Sequence, residues 1–414
     1  MKFLKNISMT NQIMIGMVLG ILAGLLIGPA IAPIKIFGDI FLRLIQMSVV
    51  VLVMGAVIEA VGSLDSREIG KLGIKITAWF MGSTLVAAAL GIVLGYLIKP
   101  GTGINVQLES SAIESNTDSL YDIILNFFPA NVMESMSSAN MIQVIIFSLL
   151  FGFSISVLST KTDLSALMGG IKQFNVVILN IVKVVMKMAP LGIFSLIAWV
   201  TGTIGLAVIL PLAKFLLAMA IGTVIFMFLW IMLTATYVKV NPLMLTKKLW
   251  RMTVVAFTTT SSAITLPVKM EDSEKKLGIS PRISRLVGPL GMALNSNGLA
   301  LYLSLAAITL AQFYSIEFTV LDTIQMVVLS TLACLGTVVV PGGGLVALAI
   351  VIPSLGLPLE SIALLAGIDW FSGMFRTVLN VDADALIAMI LAHDEKEIDY
   401  AIFNSTTEVS SESK

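Results

Sequence analysis

Long apolar stretches follow one another along the first 240 residues, separated by short polar segments. A helix crosses the roughly 30 Å hydrocarbon core of a bilayer when it holds about 20 apolar residues. Stretches of that length predict membrane-spanning helices near residues 12–33, 37–62, 73–98, 141–159 and 166–188, followed by a long apolar block at 189–237. The pattern therefore predicts an all-α integral membrane protein.

Beyond residue 240 the apolar segments are broken repeatedly by small and polar residues. The breaks are TTTSSAITLPVKM (258–270), PLGMALNSNGLALYLSL (289–305) and LGTVVVPGGGLVAL (335–348). Non-helical backbone at membrane depth must be buried in protein or line a wet cavity, since lipid cannot satisfy its amides. The first and third breaks predict re-entrant hairpins whose tips offer free N–H groups to an anion. Paired broken segments of this kind indicate a transporter binding site.

A structural reading of these breaks is also open. Serine and threonine in membrane helices often only bond to the preceding turn, and glycine often only lets helices pack closely. For a single break the structural and functional readings are equally good. Three breaks beside a charged helix favour the binding site.

Composition supports a membrane protein and excludes several functions. Of 414 residues, 57% are hydrophobic and 12% are charged, and the mean hydropathy is +1.00. One cysteine and one histidine exclude a disulfide framework and a metal site built from those residues. The formal net charge is zero, with no basic run, so nucleic acid is not an expected partner. No cofactor is expected.

The basic residues predict which ends of the helices face the cytoplasm. They occur at Lys2 and Lys5, at Arg67 and Lys71, and in the cluster Lys269, Lys275, Lys276, Arg282 and Arg285. The first apolar run is followed at once by another, which favours a first membrane helix over a cleaved signal. We therefore expect a multi-pass protein of the cell's inner (plasma) membrane with both termini in the cytoplasm.

The change of pattern near residue 240 predicts two parts and a tail. Residues 1–240 are expected to be mainly scaffold, residues 241–395 to form the core of a moving, substrate-carrying part, and residues 396–414 to be a polar cytoplasmic tail.

A charged helix is predicted at 367–392. Arg376, Asn380 and Asp384 lie four residues apart and so share one helix face. Ionisable groups inside a membrane segment are functional candidates. The planar guanidinium of Arg376 suits a carboxylate substrate.

The other aspartates of this helix have different expected roles. For Asp369, about 10 Å below Arg376 along the helix, a structural ion pair joining helices is favoured over ligand binding. Asp382 lies off the Arg376 face and is open to solvation. An aspartyl protease needs two helices that each present an aspartate to one water. Asp369 and Asp384 are about 22 Å apart on a single helix, so an enzyme is not expected.

Four motifs in the last 150 residues resemble the dicarboxylate/amino acid:cation symporter family, which includes the glutamate transporters. They are a serine-rich tip before TLP (Ser261, Ser262, Thr265, Leu266, Pro267), an Asn-x-x-Gly break (Asn295, Gly298), a GT…PG.G tip (Gly336, Thr337, Pro341, Gly342, Gly344) and a D…RT..N…D helix (Asp369, Arg376, Thr377, Asn380, Asp384). The first 240 residues are similar more loosely, through helix order and PLGIF at 190–194. The resemblance implies eight transmembrane helices, two re-entrant hairpins, a homotrimer and an elevator mechanism, with the helix near 73–98 joining the transport domain.

The resemblance also implies binding residues. One substrate carboxylate would meet the Ser262 amide and Asn380, and the other would meet Arg376 and the Gly344 amide. The implied substrate set is Ser261, Ser262, Val340, Gly342, Gly344, Gly373, Arg376, Thr377 and Asn380. The implied Na+ ligands are Asn295, Asn380 and Asp384 at one site, and Thr337 with carbonyls near Cys334 and Leu335 at another.

Two departures from the family pattern predict the substrate. Amino-acid-carrying relatives have an aspartate at Gly373 that receives the substrate ammonium, and several have an arginine at Thr260 that balances it. Both charges are missing here, and losing them together avoids a lone buried arginine. We therefore expect a C4-dicarboxylate such as succinate, fumarate or malate, with an acidic amino acid as the alternative.

A third cation site of the family is expected to be lost or weakened. The sodium-coupled pattern has an aspartate at Asn297 and an aromatic hydroxyl at Phe80, whereas Ser83 and Thr84 persist. Replacing the aspartate removes the only full charge, and hard cations prefer anionic or carbonyl oxygens.

Charge counting predicts cation coupling. A dianionic substrate with Arg376 and an ionised Asp384 leaves the core at about −2, which is costly in hydrocarbon. About two compensating Na+ ions or protons are therefore expected. A passive anion channel, the distant alternative, would show charge rings or carbonyl filters rather than occluding hairpin tips.

Overall fold

The computed structural model describes residues 9–63, 66–103, 125, 128–203, 205–336 and 343–405, and the described chain is almost entirely helical. The helices of the first part are α1 (Met9–Ile27), α2 (Lys35–Gly62), α3 (Ser66–Ile98), α4 (Val132–Ser137), α5 (Met141–Leu158), α6 (Ser165–Met186), α7 (Ala189–Thr203) and α8 (Ile209–Val238). Short 3-10 helices, Gly28–Ile34 and Gly205–Val208, join α1 to α2 and α7 to α8. The predicted 189–237 block is thus two helices.

The second part contains shorter helices. They are α9 (Pro242–Thr259), α10 (Ser262–Lys275), α11 (Pro281–Leu294), α12 (Asn297–Phe313), α13 (Val320–Gly336), α14 (Gly343–Ser354), a 3-10 turn (Leu359–Ser361), α15 (Ile362–Ala366), α16 (Asp369–Asp394) and α17 (Tyr400–Asn404). Helices α9 and α10 form a hairpin with its turn at Thr260 and Ser261, as predicted. The predicted break in the middle segment is confined to Asn295 and Ser296, between α11 and α12.

Six helical stretches among the described residues are long and apolar enough to cross a membrane. They are Asn11–Gly62, Leu72–Ile98, Met141–Leu158, Ser165–Met186, Ile209–Val238 and Pro281–Phe313. The apolar window of the last stretch is 94% buried within the protein, against 11% for Ser165–Met186. The broken α11–α12 segment is therefore internal, whereas α6 presents its apolar side chains outward.

The helices pack into two sets of close neighbours. In the first set α1 packs on α7, and α2 packs on α5, α6 and α7. In the second set α3 packs on α12, while α16 contacts α8, α9, α10, α11 and α12. Gly91 permits the close approach of α3 to α12, because a Cβ there would overlap the Leu301 carbonyl. Helix α16, which carries the predicted binding residues, thus lies at the centre of the second set.

Candidate functional site

The tip of the first hairpin is built by backbone conformation and capping. Thr260 ends α9 with a left-handed backbone (φ +50°), and Ser261 caps α10 by accepting a hydrogen bond from the Ile264 amide. The Ser261 hydroxyl is therefore used in folding the tip. Ser262 is buried and is the first residue of α10, so its amide has no acceptor within the helix. That amide is available to an anion.

Arg376 is buried beneath the first turn of α14. Its guanidinium carbon lies 4.3 Å from the centroid of the Tyr302 ring, a cation–π contact. Its Nη2 donates to the Asp369 carbonyl at 3.2 Å. A Cβ on Gly344 would overlap the guanidinium, so the first turn of α14 lies directly on it. Arg376 and Gly344, which were predicted to meet the same substrate carboxylate, are thus in direct contact.

Asp369 forms the ion pair that its sequence position suggested, but within α16 rather than between helices. Its Oδ1 is 2.9 Å from Arg376 Nη1. The contact is not aligned as a hydrogen bond, and both atoms are buried without a hydrogen-bond partner among the described residues. The pair therefore leaves hydrogen-bonding capacity of the guanidinium unused.

Gly373 and Thr260 face each other. They are the two positions at which the charged residues of the family's amino-acid carriers are missing. A Cβ built on Gly373 would lie 3.9 Å from the Thr260 Cβ and 3.3 Å from Arg376 Nη2. An aspartate at 373 would therefore sit between an arginine at 260 and Arg376. Their proximity supports treating the two missing charges as one change.

Asn380 and Thr377 line the same face of α16. The Asn380 Oδ1 accepts from the Gly298 amide at 2.8 Å. The Thr377 hydroxyl donates to the Gly373 carbonyl at 2.8 Å, which leaves its oxygen free to accept. A Cβ at Gly298 would overlap the backbone of Arg376, so this glycine brings the α12 N-terminus against α16. The Asn-x-x-Gly motif thus joins the predicted substrate residues to the predicted cation residues.

Asp384 is held from two sides by hydrogen-bond donors. Asn295 Nδ2 donates to its Oδ1 at 2.7 Å, and Lys269 Nζ donates to its Oδ2 at 2.6 Å. Lys269 Nζ also donates to the Gly288 carbonyl at 3.0 Å. Lysine and aspartate side chains are each only 2% exposed.

The position of Lys269 corrects its assignment to the cytoplasmic cluster. The lysine is buried in the protein beside Asp384, while Lys275 of the same helix is 57% exposed. Sequence reasoning missed this functional candidate because Lys269 comes just before the charged segment EDSEKK (271–276) and was grouped with its lysines. The available signal was its place in the hairpin, directly after the apolar residues Leu266, Pro267 and Val268.

Phe80, Ser83, Thr84 and Asn297 also come together, as a neutral cluster. Both hydroxyls donate to the Phe80 carbonyl. They also approach the Asn295 Oδ1, at 3.1 Å and 3.4 Å, and Thr84 approaches the Asn297 Oδ1 at 3.1 Å. Each hydroxyl has a single hydrogen and donates it to one of these oxygens at a time. None of the oxygens carries a full charge. The described residues also hold no group of three or more His, Cys, Asp or Glu side chains suited to a metal ion.

Asp382 corrects a second expectation, since it is not solvated. It is 1% exposed, and its Oδ2 accepts from the Thr253 hydroxyl at 2.6 Å. It therefore ties α16 to α9 of the first hairpin.

Part of the predicted site lies outside the described residues. Thr337, Val340, Pro341 and Gly342 fall in the 337–342 segment. Cys334, at the preceding turn of α13, is buried and its thiol contacts the Ser296 carbonyl at 3.5 Å. The C-terminal end of α13 thus meets the α11–α12 break.

Apolar helices surrounding a buried arginine, a buried acidic site and a hairpin tip define a membrane transporter for small anions. The chain belongs to the sodium:dicarboxylate symporter family, whose characteristic sequence it matches over residues 9–394. It is 31% identical to the proton/glutamate-aspartate symporter of Bacillus subtilis (strain 168), over 92% of this chain and 93% of that protein. It is 30% identical to the C4-dicarboxylate transport protein of Anaeromyxobacter sp. (strain K), over 94% of this chain and 90% of the relative.

A third relative has both ions in its name. The chain is 31% identical to the proton/sodium-glutamate symport protein of Geobacillus stearothermophilus, over 94% of this chain and 95% of that protein. The family is one of transporters, and the resemblance deduced from the motifs is confirmed.

Proposed function

We propose that this protein is a secondary active symporter that carries a C4-dicarboxylate into the cell together with cations. The observation that carries the substrate assignment is the buried Arg376 beside uncharged Gly373 and Thr260. A guanidinium binds a carboxylate through paired hydrogen bonds. A site with no carboxylate at residue 373 offers no partner for a substrate ammonium. Relatives named for either substrate class match at 30–31% identity, so overall similarity does not decide between them.

The proposed substrate site spans both hairpins. One carboxylate meets the Ser262 amide and Asn380, with Ser261 shaping the tip and Thr377 lying beside it. The other meets Arg376 and the Gly344 amide, with Val340 and Gly342 completing the second tip. Asp369, paired with Arg376, is the carboxylate beside which the substrate would bind.

The proposed architecture has eight transmembrane helices and two re-entrant hairpins in a homotrimer of the inner membrane, with cytoplasmic termini. Residues 241–395 and the helix near 73–98 form the transport domain, and the rest of 1–240 forms mainly the scaffold. The packing of α3 on α12 supports the first assignment. Helix α8 packs on α16, which favours including α8 in the moving part as well. The transport domain slides across the membrane as an elevator.

Uptake by proteoliposomes of purified protein tests the substrate. We expect radiolabelled succinate to be accumulated and aspartate or glutamate to compete weakly. The paired substitution Thr260→Arg with Gly373→Asp restores both charges and should shift preference toward aspartate. Strong uptake of aspartate or glutamate by the unmodified protein, without succinate uptake, would refute the dicarboxylate assignment.

Separate dissipation of the H+ and Na+ gradients in the same vesicles tests the coupling. Collapse of accumulation with either ionophore identifies the coupling ion. Accumulation that is insensitive to both would refute symport.

A further inference from the structure

The buried Asp384 site already contains a cation that belongs to the chain. Lys269 Nζ is 2.6 Å from Asp384 Oδ2 and 3.0 Å from the Gly288 carbonyl oxygen. A carboxylate and a backbone carbonyl are the oxygen ligands that a hard cation would use. Both side chains of the pair are 2% exposed, so the ammonium exchanges bulk water for these oxygens.

The second carboxylate oxygen of Asp384 is also engaged by a donor from the protein. This oxygen accepts from Asn295 Nδ2 at 2.7 Å. Asn295 therefore turns its amide nitrogen, not its oxygen, toward the carboxylate. A Cβ on Gly291 would overlap this carboxylate, which shows how closely α11 covers it. Both carboxylate oxygens are thus engaged by donors from the protein.

We propose that Lys269 is a built-in cation, whose ammonium occupies the Asp384 site in place of a coupling sodium ion. The proposal rests on the proposed transport function. The lysine is fixed to α10 and its partner to α16, so the charge stays with the transport core in both directions. The transporter can then return empty without rebinding an ion at Asp384, and coupling must use protons or a different ion site.

Sodium-dependent thermal stability tests this proposal without any substrate. A ligand that binds the native state raises the melting temperature. We compare detergent-purified proteins in about 100 mM NaCl and in about 100 mM choline chloride. Lys269→Thr should expose the Asp384 oxygens, and sodium should then raise its melting temperature by about 4 °C or more beyond any rise in the unmodified protein.

Two variants serve as controls. Lys275→Thr makes the same change six residues later on the exposed side of α10 and should respond to sodium as the unmodified protein does. Lys269→Met with Asp384→Asn removes both charges at nearly constant size and should show no added response. Any sodium effect that survives in this double variant belongs to another site.

Two results would overturn the proposal. One is a folded Lys269→Thr protein whose response to sodium equals that of the unmodified protein, which would make the lysine a purely structural partner. The other is a sodium-induced rise in the unmodified protein that disappears in the double variant. The second comparison decides the question even if Lys269→Thr does not fold. Because succinate is absent, failure of dicarboxylate uptake would refute the proposed function and leave this test intact.

Discussion

Arg376 is the side chain on which the proposed substrate binding most directly depends. Its guanidinium is confined by the Tyr302 ring, by Asp369 and by the start of α14. One of its terminal nitrogens nevertheless makes no hydrogen bond within the described chain. Buried polar groups normally have a partner. A substrate carboxylate would supply one.

Replacing Arg376 with lysine should therefore damage binding while keeping the charge. An ammonium cannot reproduce the planar pair of N–H donors. We expect the KM for succinate to rise about tenfold or more, each factor of ten being about 1.4 kcal/mol. Arg285→Lys, at an arginine whose side chain is 69% exposed, is the control. Unchanged succinate uptake kinetics in Arg376→Lys would remove Arg376 from the binding site.

The limits of sequence reasoning are clearest for residues that meet across long separations. Arg376, Asn380 and Asp384 could be predicted because helical spacing alone places them on one face. Lys269 could not, because its partner Asp384 lies 115 residues away in the chain and its neighbours include real surface charges. The pairing of Asp382 with Thr253 likewise depends on how α9 packs on α16, which no local pattern reveals.

At the level of elements, the break between α11 and α12 brings the start of α12 into close backbone contact with α16. The two helices are interrupted for only two residues, and Gly298 then lies against the backbone of Arg376. The sequence predicted an interruption from the polar residues. The near-continuous helix and the position of the glycine follow from the packing of α12 against α16, which is a tertiary effect.

Gly298→Ala should force α12 away from α16. The added Cβ meets backbone atoms, which cannot move aside as the end of a flexible side chain can. Overpacking of this kind costs about 1–3 kcal/mol, and succinate uptake should fall because Asn380 loses its contact with the Gly298 amide. The measurement is the melting temperature of the purified protein together with uptake.

Gly82→Ala is the matched control for this change. A Cβ there has open space around it, and alanine favours a helix by up to about 1 kcal/mol over glycine. Equal melting temperatures for the two variants would show that the contact at Gly298 is loose.

A second element-level contact joins the end of α16 to the start of α11. The segment after α16 pairs with residues near 279 through the Ile279–Ile398 bridge. The hydrogen bond from the Ser280 hydroxyl, aided by Arg282, holds the pKa of Glu397 below its usual value. A carboxyl group whose pKa is lower in the folded state stabilises the protein above its unfolded pKa, near 4.3, and loses that stabilisation as the pH falls through the folded pKa.

Glu397→Gln should therefore lower the melting temperature most above about pH 5 and progressively less below about pH 4. The side chain is 25% exposed, so solvent screening limits the effect to less than about 1 kcal/mol. Ser280→Ala should weaken the same pH dependence in part. Melting curves of unmodified and Glu397→Gln protein that stay parallel from pH 3 to pH 7 would contradict this role.

For the molecule as a whole, the charges of the core determine what must accompany the substrate. A dianionic substrate together with Arg376 and an ionised Asp384 carries a charge of about −2. Lys269 adds one positive charge and Asp369 adds one negative charge, so this total does not change. The buried Asp382 adds a further carboxylate. A dianion therefore still needs cations for its passage through hydrocarbon, even with a lysine at the Asp384 site.

The proposed elevator mechanism makes a mechanical prediction, because it requires the two sets of packed helices to slide past each other. Gly367, at the start of the charged segment, touches the first set: a Cβ there would lie 2.8 Å from Ile197 Cδ1 of α7 and 3.3 Å from Met17 Sδ of α1. A cross-link between residues 197 and 367 should hold the transport domain in one position. We expect Ile197→Cys with Gly367→Cys, in a Cys334→Ala background, to lose uptake on oxidation and to regain it on reduction.

The control cross-link lies within the proposed scaffold. A Cβ on Gly192 would lie against the Phe41 side chain, 2.7 Å from its Cβ, so Phe41→Cys with Gly192→Cys places two cysteines side by side between α2 and α7. Helices that stay together during transport tolerate such a link, and oxidation should leave uptake unchanged. If the 197–367 link forms and uptake continues, α7 and the α16 segment move as one body. The boundary of the moving part would then have to lie elsewhere, and α8, which packs on α16, would be the next helix to test.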